Sequence, residues 1–137
     1  MKTLLLAIFS LSLPAFAAEQ HIECPARYPA EDIALPQSGQ WETGLVPAGI
    51  PLDGGGMYAG PIQRRGELRG SERRIKGGFV THFGFERDQR PPGKWFVCYY
   101  GHVQLMRRVA DTATACELTH KNPKFPDAST VKLICRD

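Results

Sequence analysis

The stretch GKWFVCYYGHVQLMRR, from Gly93 to Arg108, decides the fold. Aromatic and β-branched residues fill its first half, and such residues favour a pleated strand. From Trp95 to Tyr100 side chains alternate at a period of two. Trp95, Val97 and Tyr99 fall on one face, and Phe96, Cys98 and Tyr100 on the other. Both faces are apolar, the pattern of a central strand covered on each side. Gly101-His102 breaks the run, after which Val103, Leu105, Arg107 and Val109 alternate with Gln104, Met106 and Arg108. That second strand is more amphipathic and lies nearer solvent. Cys98 stands four residues before His102, and a strand rises about 3.3 Å per residue, so the pair is too far apart to act as thiolate and base.

The same periodicity extends outward. Phe79, Thr81, Phe83 and Phe85 form one aromatic face against Val80, His82 and Gly84. Turn formers from Asp88 to Gly93 follow, so the segment predicts an antiparallel hairpin with the stretch after Gly93. Ala110 to Ala113 make a turn. Cys116-Glu117-Leu118 and Val131 to Cys135 then flank a loop containing Asn122-Pro123 and Pro126-Asp127. A hairpin centred in that loop sets Cys116 opposite Cys135, close enough for a disulfide. Cys24 is then left for Cys98, a pairing that would staple the N-terminal half to the central strand. The alternative joins Cys24 to Cys135 and Cys98 to Cys116.

Between Cys24 and Gly70 prolines and glycines recur every few residues, which argues against long helices and for extended segments and turns. Ile33-Ala34-Leu35 and Gly44-Leu45-Val46 are candidate edge strands. At the other extreme of order, residues 1–17 combine Lys2, the apolar Leu4–Leu13 and the small-x-small Ala15-Phe16-Ala17. This is the pattern of a secretory signal peptide cleaved after Ala17, and no later run is long enough to span a bilayer. Residues 18–137 are expected to form a single exported domain, without stable membrane insertion. A chain of this size gains from cross-links, and four cysteines in an oxidising compartment imply two disulfides. The fold class is therefore mainly β, a small antiparallel sheet or sandwich with a Pro/Gly-rich N-terminal half.

Chemistry is sparse by comparison. The net charge of +3 is too modest to mark a nucleic-acid binder. His21, His82, His102 and His120 match no compact metal spacing, so neither metal nor cofactor is expected. G-x-S-x-G and the glycine-rich phosphate motifs are missing. Leu52 to Pro61, with Gly54-Gly55-Gly56, reads as a mobile loop that presents Met57 and Tyr58. Those two are candidates either for packing under the sheet or for partner contact. Arg64 and Arg65 would supply a polar rim. Arg73 and Arg74 form another doublet, which is either a solvated mixed-charge face or a patch for an acidic partner surface.

Taken together, Ile22-Glu23-Cys24-Pro25, Gly55-Gly56-Met57, Gly66-Glu67-Leu68, Lys76-Gly77-Gly78, Lys94 to Cys98, Gln104 to Arg108, and Cys116 with Cys135 resemble a family of small exported Gram-negative proteins. Members of that family are met near type VI secretion genes. The resemblance implies an immunity protein, with a co-encoded toxic effector enzyme as partner and no catalytic activity of its own. A phospholipase or a cell-wall hydrolase is the expected target. An inhibitor of host lysozyme and a small envelope enzyme are the alternatives.

Overall fold

The computed structural model describes residues 18–33, 49–60, 66–86, 93–122 and 129–137. Among these residues ten strands run β1 (Glu19–Glu23), β2 (Arg27–Tyr28), β3 (Ile50–Pro51), β4 (Gly54–Ala59), β5 (Ser71–Ile75), β6 (Gly78–Gly84), β7 (Lys94–Tyr100), β8 (Val103–Val109), β9 (Ala115–Lys121) and β10 (Thr130–Arg136). One short 3-10 turn, Ala30–Asp32, interrupts them. A five-stranded sheet has the order β1-β10-β9-β6-β5, and a three-stranded sheet the order β4-β7-β8. The short pair β2-β3 stands beside them, and all pairings are antiparallel.

The two larger sheets share one core. Ile22, Phe83, Cys116, Leu118, Val131, Leu133 and Cys135 face inward from the five-stranded sheet. Met57, Phe96, Cys98, Tyr100 and Val109 face them from the three-stranded sheet. Sheets packed face to face through alternating inward side chains make a sandwich. Strand β7 behaves as its sequence predicts: Phe96, Val97, Cys98 and Tyr100 are all buried, Trp95 and Tyr99 half-buried. Strand β8 is amphipathic, with Val103 and Leu105 packed on the core and Met106 45 % exposed. Tight turns close the β5-β6 and β7-β8 hairpins. Gly77 at φ 76° and Gly101 at φ 57° supply the left-handed backbone those turns require.

Both favoured disulfides form. Cys116 lies directly opposite Cys135 in the β9-β10 register, with Cα atoms 4.1 Å apart. Cys24 is joined to Cys98 across 74 residues of chain. Tyr100 reinforces that junction by donating its hydroxyl hydrogen to the Pro25 carbonyl at 2.7 Å.

Two expectations fail. Strand β6 does not form a hairpin with β7; it pairs with β5 and β9, while β7 pairs with β4 and β8. The chain between them crosses from one sheet to the other, and turn formers mark a reversal without saying which strand receives it. Gly54-Gly55-Gly56 is likewise no mobile loop but the start of β4. Its glycines permit close approach: a Cβ on Gly55 would stand 2.8 Å from both the Val97 carbonyl oxygen and Val131 Cγ1. The three-stranded sheet thereby presses against β10 where a side chain would hold it off. The candidate edge strands Ile33-Ala34-Leu35 and Gly44-Leu45-Val46 lie outside the described residues, save for Ile33, which is in no strand.

Lys94 is the least expected member of the interior. It opens β7 with 1 % exposure. Its ammonium donates to the carbonyls of Asp111 at 3.0 Å and Ala113 at 2.9 Å, and sits 4.9 Å from the centroid of the Phe85 ring. A buried cation is tolerated only when its donors are occupied. Here they tie the turn between β8 and β9 to the core.

Candidate partner-binding surface

Strand register distributes the exposed chemistry. On the outer face of the five-stranded sheet Ser71, His82 and Glu117 stand in one lateral row, because Ser71 opposes His82 and His82 opposes Glu117. They line a hollow of about 320 Å³ with Gly84, Ala115 and Arg136. His82 Nδ1 lies 3.3 Å from Glu117 Oε2, yet both side chains are nearly half exposed. Among the described side-chain contacts no hydrogen bond joins the Ser71 hydroxyl to the His82 ring. A solvated row of this kind lacks the fixed nucleophile-to-base geometry that catalysis needs. Among the described residues, no three His, Cys, Asp or Glu side chains gather where a metal could be held.

The three-stranded sheet offers a different surface. Tyr58, Trp95 and Arg108 share one row of its outer face, and Gly56, Val97 and Met106 the next. Tyr99 donates to the Tyr58 hydroxyl at 3.0 Å. Burial, seconded by that contact, pushes the Tyr99 phenol well above the ordinary range, so it stays protonated. Gly56 leaves the room this pair needs, since a Cβ there would come within 2.6 Å of the Tyr99 hydroxyl.

The residues expected to contact a partner are thus split between sheets. Met57 is fully buried in the core. The alternation of β4 that turns Met57 inward carries Tyr58 to the outer face, half-buried. Arg73 and Arg74 are exposed on β5, an edge of the five-stranded sheet. Arg64 and Arg65 lie outside the described residues.

His120 closes the gap between the sheets. Its ring stands edge-on to Phe79, with centroids 4.9 Å apart, and its Cε1 would lie 3.6 Å from a Cβ on Gly54. Its Nε2 is buried without a hydrogen-bond partner among the described residues. Burial holds the imidazole below its ordinary range, so it is neutral in the folded state. The unfolded chain takes up a proton near pH 6.5. It therefore binds more protons than the folded one as pH falls, and the contribution present above about pH 6.5 is lost below it. The melting temperature is expected to drop between pH 7.5 and 5.5, and His120→Leu to flatten that slope. Differential scanning fluorimetry across the range checks both.

Among the described residues no helix is long and apolar enough to cross a membrane. The family model of the type VI secretion system Tli immunity protein matches residues 47–136, more than half of the 137-residue chain. The chain belongs to this family. The family is one of immunity proteins, not enzymes. No curated protein and no solved structure matches the chain. The Tli match takes in β3 to β10 entirely, with Cys98, Cys116 and Cys135, and leaves out β1, β2 and Cys24. In this Tli protein Cys24–Cys98 therefore anchors the unmatched N-terminal strand to the matched sandwich.

Proposed function

We propose that the protein works in the periplasm, where it binds a toxic enzyme delivered by type VI secretion and blocks it by direct occlusion. Family membership carries this reading: immunity requires a partner, and the partner implied is the co-encoded effector. Two disulfides among four cysteines suit an oxidising compartment, and the signal-like residues 1–17 supply the route to it. A phospholipase or a cell-wall hydrolase is the target class, since each attacks a structure that the periplasm reaches. A stapled sandwich is a pre-organised platform and loses little freedom on binding.

A strain lacking the gene is expected to be killed when mixed with effector-delivering siblings. An exported copy should rescue it, and a copy without residues 1–17 should not. Unchanged survival of the deletion strain removes the immunity role, and rescue by the unexported copy removes the compartment.

A further inference from the structure

Sheet edges are where this fold leaves backbone hydrogen-bonding groups open, and the edges differ. Strand β4 is covered on its outer side by the segment at Gly66–Leu68: Ala59 N–H donates to the Gly66 carbonyl and Leu68 N–H to the Met57 carbonyl, both at 2.8 Å. Strand β1 is an edge guarded by charge. Its Glu19 and Glu23 pair with Arg136 at 2.8 Å and Lys132 at 3.0 Å. Strand β5 is five residues long and mixes Glu72 with Arg73 and Arg74. Natural sheets blunt their edges by such means.

Strand β8 does not. It is seven residues long, contains no proline and no carboxylate, and pairs only with β7 among the described residues. In an antiparallel strand about half of the residues turn their N–H and C=O groups away from the existing partner. Met106, 45 % exposed, is the large apolar side chain most open to solvent among the described residues. Arg107 is exposed with no ion-pair partner among them, and exposed Arg108 contacts Asp111 at 2.9 Å. An open edge, an apolar side chain in water and two guanidinium groups thus occupy consecutive positions.

We propose that β8 is the docking edge for the effector, which adds an extended segment to the three-stranded sheet as a further strand. Its main chain pairs with β8, an apolar side chain covers Met106, and acidic side chains meet Arg107 and Arg108. The occupant is accordingly an acidic, extended segment of the toxic enzyme. This rests on the immunity reading above and deepens it by assigning the contact to the edge of the sandwich formed by β8, rather than to Tyr58 or the β5 arginines.

The test uses the purified full-length mature chain and the type VI effector encoded beside its gene, with two readouts. Titration calorimetry is expected to show R107E/R108E and M106E each weakening binding at least ten-fold, with R73E/R74E close to the parent. All these side chains are exposed, and circular dichroism confirms that the variants fold. Hydrogen exchange of the complex should show new protection at alternate amides of Val103–Val109, which side-chain contact alone would not produce. Unchanged affinity in the β8 variants with no new protection there overturns the inference while leaving immunity intact, provided the parent chain binds. A parent chain that fails to bind the effector defeats the function itself. Protection of β8 that appears without effector and grows with protein concentration also overturns the inference, because the occupant is then a second copy of this chain.

Discussion

Replacing Cys24 and Cys98 together by alanine is expected to lower the free energy of unfolding by about 4 kcal/mol, the chain-entropy value for a loop of this size. The bond spans 74 residues, closing most of the chain between β1 and β7. Both cysteines are buried in the shared core, at 5 % exposure each. The loss should be a matter of stability more than of architecture, because β7 remains paired on both sides with β4 and β8. Urea unfolding followed by tryptophan fluorescence reads it, and a shift below about 1 kcal/mol would mean that the unfolded chain is already compact. Cys116–Cys135 closes only 19 residues within one hairpin, so its removal is expected to cost less.

Lys94→Met is the second large effect. Methionine fills a similar volume but leaves the Asp111 and Ala113 carbonyls without the donors they now have at 3.0 and 2.9 Å. Each buried acceptor left unpaired costs about 1–3 kcal/mol, partly offset by no longer burying a charge, for a net loss of about 2–4 kcal/mol. Arginine should not rescue it: the site receives a compact ammonium, and a longer planar guanidinium would overpack a position with 1 % exposure. Urea midpoints check the stability. Hydrogen exchange should locate the loosening at Ala110–Ala113, and uniform loosening of the sandwich would contradict the local role of Lys94.

Much of this fold was written in side-chain alternation. Phe79 to Phe85, Trp95 to Tyr100, Val103 to Val109 and the Cys116–Cys135 hairpin are each read from a period of two, because a strand between core and solvent must alternate. Sheet membership was not legible, since β6 and β7 are neighbours in sequence with turn residues between them but belong to different sheets. Gly54-Gly55-Gly56 misled for a physical reason: glycine carries no side chain to alternate, so a strand built for close contact with Val97 and Val131 looks like a flexible loop. Lys94 gave no signal beyond its place before an aromatic run. Its burial depends on carbonyls from a turn that follows the next strand, a tertiary arrangement that no local pattern encodes.

The proposed contact surface was only half visible. Composition brought Met57 and Tyr58 forward together, but adjacent residues of a strand face opposite ways, and β4 turns one into the core and the other outward. In the sequence Arg107-Arg108 is one of three arginine doublets, beside Arg64-Arg65 and Arg73-Arg74. What distinguishes it is the open edge of β8, which emerges only once β7 is seen to take β4 on its other side.

Protection by binding and blocking a toxic enzyme is read most directly in the activity of the co-encoded effector on its own substrate, phospholipid vesicles or purified peptidoglycan, as the mature chain is titrated in. Activity is expected to fall to background at an equimolar ratio, with a stable complex on size exclusion. Full effector activity in the presence of excess chain, with the two proteins eluting separately, would contradict it.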